Sequence, residues 1–263
     1  AIVRALGCRT RDVVFAEHHL SHAASAYYAS PFEEAAVVTV DGVGEWATTA
    51  LYHGRGVELV PLAELHFPHS IGLVYSALTA FLGFEVNDGE YKVMGLAAYG
   101  QPRFLDALRS VCRVEPDGAL VVDPRCFAWA HDAESSYTPA LERLLGPARR
   151  PGAPLVLPAA PGSDSARWAD VAASAQALLE EYLLTLIGEA HRRTGARALA
   201  LAGGVALNAV ANRKLLEQGP FEALYVQPAA GDAGGALGAA LWAAHTLGRD
   251  DRAGPRRADV AAQ

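Results

Sequence analysis

Apolar positions recur along this chain with two periods, one suited to helices and one to strands. From His18 to Tyr28, small and aromatic residues follow one another without Gly or Pro. That predicts a helix, closed at Ser30-Pro31 because the residue before proline avoids the helical region. A short apolar run, Val13-Val14-Phe15, leads into it. Residues 35–40, 45–52 and 57–65 are rich in apolar and β-branched side chains. Asp41-Gly42-Val43-Gly44 and His53-Gly54-Arg55-Gly56 separate them, which predicts a β-meander. A helix is predicted from Ser70, its cap, to Phe81, with Ile71, Val74, Tyr75, Leu78, Phe81 and Leu82 on one face. A polar turn, Asn87-Asp88-Gly89-Glu90, precedes a second helical run over 92–99. The stretch 101–165 is less regular. Within it Leu120-Val121-Val122 is a candidate strand, and Gly146 to Ser165, rich in Pro, Gly and Ala, reads as a surface connection and the candidate lobe boundary.

The last third has the clearest pattern. From Ser165 to Thr194, Trp168, Val171, Ala175, Leu178, Leu179, Tyr182, Leu186 and Ile187 recur at helical spacing. A buried strand (198–202), Gly203-Gly204, a helix (205–217), a second strand (223–227), Gly231-Asp232 and a final helix (233–245) follow. Strand, glycine turn and helix, twice over, predict a parallel α/β arrangement. No internal repeat is visible, and the polar tail 248–263 reads as a linker.

Composition adds limits. The 263 residues are 51% hydrophobic, enough for a large α/β domain or two lobes. A net charge of −7 and only short basic pairs, Arg149-Arg150 and Arg192-Arg193, argue against a nucleic-acid groove. Cys8, Cys112 and Cys126 lack ligand spacing, so unpaired thiols in a reducing cytoplasm are expected. No stretch is apolar enough to span a bilayer. The chain begins with Ala and enters at once into a patterned region, which reads as an internal segment of a longer protein.

Candidate chemistry centres on Glu17-His18-His19-Leu20-Ser21-His22. On a helix, His18 and His22 stand roughly 40° apart, so both imidazoles can reach one cation. The spacing alone also fits two hydrogen-bonded core histidines, and Glu17 precedes His18, unlike a zincin motif. His19 points off that face and reads as structural. Asp232, in a Gly-rich turn before a helix, is the third candidate ligand. Two His and one Asp leave open positions and suit Fe(II) or Zn(II). Asp41-Gly42-Val43-Gly44 is either an ordinary hairpin turn or a loop whose backbone approaches an anion, with Asp41 positioning a water or metal. Gly203-Gly204 and Gly231 put backbone donors before helices, where an anion or nucleotide is favoured, although close packing also demands Gly. Asn208 and Asn212 share a helix face there. Lys92, beside the uncharged run 93–100, is a candidate anion-binding group.

These strings occur in an order that resembles the O-carbamoyltransferases of antibiotic and nodulation-factor biosynthesis. They are His18 to Ala26, Ser30-Pro31-Phe32, Val40 to Glu45, Ser70-Ile71-Gly72 with Tyr75-Ser76, Leu82-Gly83-Phe84, Lys92 to Gly100, Gly203 to Asn208 and Gly231 to Gly235. The amino-terminal domain of that family is similar to tRNA threonylcarbamoyltransferase. The resemblance therefore implies a two-lobed actin/hexokinase-type (ribonuclease H-like) ATPase fold, here incomplete at the N-terminus, over residues 1–247. It implies a carbamoyl-adenylate, made from carbamoyl phosphate and ATP by a threonylcarbamoyl-AMP-synthase-like domain, C-terminal or in trans. The carbamoyl group then passes to a hydroxyl of a small molecule. It implies a divalent metal, Fe(II) before Zn or Mn, on His18, His22 and Asp232. Asp41, Gly42 and Gly44 would face the phosphate, Gly203, Gly204 and Asn208 the adenosine, with Asp41 and Lys92 catalytic and Gly231 on the nucleotide.

The family's upstream strand and His-Asp turn have no counterpart before Ala1, so the isolated chain is expected not to complete the two-step reaction. A tRNA-modifying enzyme of the same fold and a non-catalytic nucleotide-binding module are the alternatives; the first is disfavoured by the absence of a basic face.

Overall fold

The computed structural model describes residues 5, 7, 9, 13–132 and 135–246. The tail read as a linker and Cys8 lie outside them. Residues 13–17 have no regular secondary structure and lead into α1 (His18–Tyr27). Glu17 caps this helix, its carboxylate accepting from the backbone N–H groups of His19 and Leu20. The meander follows as β1 (Glu34–Gly44), β2 (Ala47–Arg55) and β3 (Glu58–His66). Next come α2 (Ile71–Phe81), capped by Ser70 as expected, and α3 (Glu90–Ala97). The irregular stretch holds more structure than its pattern suggests: α4 (Leu105–Val111), a hairpin of β4 (Cys112–Val114) and β5 (Leu120–Val122), and α5 (Pro139–Leu145). The 31-residue α6 (Asp164–Thr194) starts at a Ser163 cap and ends at Gly195 in the left-handed region. β6 (Ala198–Ala202), α7 (Ala209–Gln218), β7 (Ala223–Val226) and α8 (Gly235–Thr246) complete the order.

The sheet is mixed, in the order β3-β2-β1-β6-β7. The meander is antiparallel, and β1, β6 and β7 run parallel. Alternation along the strands sorts the two faces. Ala35 and Val37 of β1 and Ala198, Ala200 and Ala202 of β6 pack against Ala23, Ala24 and Ala26 of α1. Small side chains on both partners bring α1 close to the sheet. α8 lies across α1, and at Gly238 a Cβ would fall within 3.0 Å of the Ser21 backbone, so only glycine permits this crossing. On the other face, Ala36, Val38, Val40, Leu199 and Leu201 meet α2 and the apolar stripe of α6. The stripe residues expected from the pattern are all buried. Tyr182 ties this helix to β2 through the Thr49 hydroxyl at 3.0 Å.

The connection over 146–165 is pinned to the body of the fold. Arg149, 8% exposed, donates to the Leu82 carbonyl and lies over the rings of Phe84 and Trp168. Leu141 and Leu145 before it share one core with Trp168 and Val171 after it. Cys112 and Cys126 are free and buried, and burial pushes the Cys112 thiol up.

The end of α6 makes a testable contribution to stability. Glu189, 6% exposed, accepts from Arg192 and Arg193, which hold its carboxyl at about 2 against an ordinary 4.5. A carboxylate depressed in the folded state stabilises fully above its unfolded pKa and loses that contribution as pH falls through the folded one. Glu189→Gln is therefore expected to lower the melting temperature at neutral pH. Its deficit should shrink between pH 4.5 and about 2. Melting curves of both proteins across that window check it; a deficit constant with pH would contradict it.

Candidate metal centre

The site forms where α1, the end of β1 and the turn before α8 meet. Of the two readings of Asp41-Gly42-Val43-Gly44, the ordinary hairpin turn does not hold, since β1 runs on past Asp41. Val40 pairs with Thr49 and the next pair is Gly44 with Ala47, so residues 41–43 bulge opposite Thr48 alone. The chain reverses only at Glu45 and Trp46, with Glu45 at φ 61°. A bulge re-aims the side chain it carries. Ser70 fixes it, its hydroxyl donating to the Gly42 carbonyl at 2.6 Å while accepting from Leu73 N–H as the cap of α2.

Thus aimed, Asp41 places Oδ2 2.9 Å from His22 Nε2 and 3.3 Å from His18 Nε2, and its Oδ1 accepts from Gly42 N–H. Asp232, on a short 3-10 turn (Asp232–Gly234), brings Oδ1 to 3.4 Å from His22 and 3.5 Å from His18. The two Nε2 atoms are 3.1 Å apart. His22 is buried, while the Asp232 side chain is largely exposed. Burial pushes the Asp41 carboxyl up, but hydrogen bonds from His18, His22 and Gly42 outweigh it and hold it well below the usual range. The same bond from Asp41 raises His18 against the opposing effect of burial.

The donor set fits a cation. With an ion between them, both Nε2 atoms would give up their protons and turn their lone pairs towards it. Ligands about 2.0–2.2 Å from one ion in tetrahedral or octahedral geometry are about 2.8–3.6 Å from their neighbours. The five separations above, 2.9–3.5 Å, all fall in that interval, and the four donor atoms lie within 4.8 Å of one another. Asp41 thus joins His18, His22 and Asp232 as a candidate ligand, in keeping with the reading in which it positions a water or metal.

His19, buried, sits outside this set. Its Nε2 faces the Ala47 carbonyl at 3.0 Å, which can only accept, so Nε2 carries the proton and Nδ1 accepts from the Thr39 hydroxyl at 2.7 Å. Burial lowers its pKa, consistent with a neutral bridge between α1 and the sheet.

A cleft of about 760 Å³ opens beside the donors, lined by Asp41, Gly42, Tyr75, Gly204, Asn208 and Asp232 among others. A smaller hollow of about 350 Å³ lies on the histidine side, against Ala16, Ser21 and Glu45. The expected glycines divide. Gly42 and Gly204 line the cleft, and a Cβ on Gly204 would approach Asp41 Oδ1. At Gly44, a Cβ would fall within 3.0 Å of the His18 ring, so this glycine makes room for a candidate ligand. Gly203, at φ 94°, closes on the backbone of Val40. Gly231 precedes Asp232 and its carbonyl accepts from Gly234.

Asn208 was expected within a helix. It separates a 3-10 turn (Gly204–Leu207) from α7 and caps the latter, Oδ1 accepting from Ala211 N–H, a place where Asn is favoured. Lys92 is not among the cleft-lining residues. Its ammonium is 3.8 Å from Asp88 and lies over Tyr91, so the catalytic role expected of it has no geometric support. Among the described residues, no helix is long and apolar enough to cross a membrane.

Known proteins agree with this assembly of motifs. The family model described as carbamoyltransferase N-terminus matches residues 1–241. An uncharacterised protein of Synechocystis is 46% identical over 249 residues, 93% of this chain and 39% of that protein. Nodulation protein NolNO of Sinorhizobium fredii is 38% identical over 238 residues, 90% of this chain and 32% of that one. Among solved structures, HypF of T. kodakarensis is similar at 19% identity and a TM-score of 0.47, over 94% of this chain and 38% of that one. The chain spans about a third to two fifths of the length of the curated relatives it matches. With the family model extending over most of its residues, the chain belongs to the carbamoyltransferases, as their amino-terminal domain.

Proposed function

We propose that this domain transfers a carbamoyl group from carbamoyl-adenylate to a hydroxyl of a small-molecule acceptor, at a divalent cation held by His18, His22, Asp41 and Asp232. The observation that carries this reading is the convergence of those four donors at the wall of a cleft large enough for a nucleotide. When bound, the cation would supply Lewis-acid stabilisation to a phosphate and acidify a hydroxyl beside it. Asp41, shared between both histidines, orients the two imidazoles. Gly42 and Gly204 keep the cleft wall free of side chains where the adenylate would lie, and the hollow by Ser21 and Glu45 gives an acceptor a separate approach.

In this reading the sheet, with its antiparallel meander continued by two parallel strands, is one unit of an actin/hexokinase-type ATPase fold. The adenylate is made elsewhere in the full-length protein or by a separate synthase-like partner, in the cytoplasm. Fe(II) is the first choice of cation, and Zn(II) and Mn(II) fit the same donors. The test is metal analysis of the purified full-length protein, followed by an assay of carbamoyl transfer from carbamoyl phosphate and ATP. About one cation per chain and loss of transfer on chelation are expected. Transfer unaffected by exhaustive chelation would overturn the assignment of the donors.

A further inference from the structure

A buried amide on α6 controls what the cleft can recognise. Gln176 is 5% exposed and does not line the cleft, yet all four of its side-chain hydrogen-bonding positions are used. Nε2 donates to Glu180 Oε1 at 2.9 Å and to Asn208 Oδ1 at 3.1 Å. Oε1 accepts from Asn208 Nδ2 at 2.9 Å and from the Tyr75 hydroxyl at 3.1 Å. Tyr75 and Asn208 both line the cleft.

Amide oxygen and nitrogen look alike, but two anchors here have one polarity each. Glu180, 8% exposed, pairs with Lys214, whose Nζ donates to Oε2 at 2.6 Å; a carboxylate only accepts, so the Gln176 atom facing it is nitrogen. At the other end Ala211 N–H only donates, so the Asn208 atom facing it is oxygen. Both assignments agree, and they propagate. Gln176 Oε1 only accepts, so the Tyr75 proton points inward and its oxygen is left to accept, with the Asn208 amide beside it. Both lone pairs of Asn208 Oδ1 are taken, so its amide has only an N–H left to give. A group that both donates and accepts, a hydroxyl, satisfies Tyr75 and Asn208 together.

Position selects which hydroxyl. The 3-10 turn from Gly204, beside Asp41, to Asn208 rises about 8 Å, comparable with the span from a 5′-phosphate across its ribose. We propose that Gln176, oriented by the Glu180–Lys214 pair, is a positioning residue that sets the polarity of Tyr75 and Asn208 to take a ribose hydroxyl. The inference rests on the reading that a nucleotide occupies the cleft.

The test measures affinities of the full-length protein for AMP and for its 2′-deoxy and 3′-deoxy forms. The unmodified protein should bind AMP about tenfold more tightly than at least one deoxy form, roughly the loss of one hydrogen-bonding partner in a built site. Gln176→Met should bring that ratio close to one; a residue that merely packs would lower the melting temperature and leave the ratio alone. The exchange Gln176→Glu with Glu180→Gln preserves volume and charge but turns an acceptor towards Asn208 Oδ1. It should also abolish discrimination, and it decides the matter if Gln176→Met does not fold. A ratio retained in the folded variants overturns this inference while leaving nucleotide binding intact. Failure of the unmodified protein to bind AMP overturns the nucleotide reading and this inference together.

Discussion

Replacing His22 by alanine is expected to weaken divalent-cation binding more than about a hundredfold, since loss even of a partner outside the coordination sphere commonly costs ten- to a hundredfold. The effect is large because His22 is the most enclosed of the four donors, with Nε2 within 3.5 Å of all the others. Its removal also leaves the half-buried Asp41 carboxylate without its nearest side-chain partner. Carbamoyl transfer should fall with the cation, while the sheet and α6, which make no use of His22, keep their fold. The contrast is His19→Ala one position along. It breaks two buried hydrogen bonds to the sheet and should cost about 1–3 kcal/mol of stability, with metal content unchanged once the protein is folded. Metal analysis and denaturant titration of both variants separate the roles; equal metal loss in the two would dissolve the distinction.

Gly44→Ala should act on the cation as severely as loss of a ligand, although Gly44 has no donor atom of its own. The added methyl would occupy the space of the His18 imidazole, and a side chain yields more readily than backbone. The ring must therefore swing away from the other three donors, while the Gly44–Ala47 strand pair can persist. Loss of cation binding with a near-normal melting temperature is the expected outcome. A Gly44→Ala protein that binds metal normally would mean that His18 has another stable position at the centre.

The sequence was most readable where one periodicity dominated. α6 and β6 were visible because their burial is nearly complete on one face or on both, whereas β7, half-buried throughout, was marked by the glycine turn that follows it. The hairpin of β4 and β5 was half missed, because three-residue strands are too short for alternation to register. His18, His22 and Asp232 could be picked out by residue type and spacing. Asp41 could be picked out as chemistry but not as a donor to this cluster, since Asp-Gly reads locally as a turn and the bulge that redirects it depends on Ser70, 29 residues away. The clearance Gly44 gives the His18 ring was hidden for a related reason. A glycine kept for the width of an imidazole has the same sequence signature as one kept for a phosphate. Gln176 gave no signal at all, because a single Gln inside a helical stripe is informative only when its four partners are seen together.

The four donors come from positions 18 to 232, the two ends of the described chain. An unfolded chain does not hold all four together, so a cation that uses the full set binds the native state in preference. At a thousandfold excess over its dissociation constant such an ion adds about 4.1 kcal/mol to the free energy of unfolding. That is a large fraction of the 5–15 kcal/mol typical of a domain. A cation on these donors would thus also act as a clasp joining α1 to the turn before α8, and its removal is expected to lower the melting temperature of the protein.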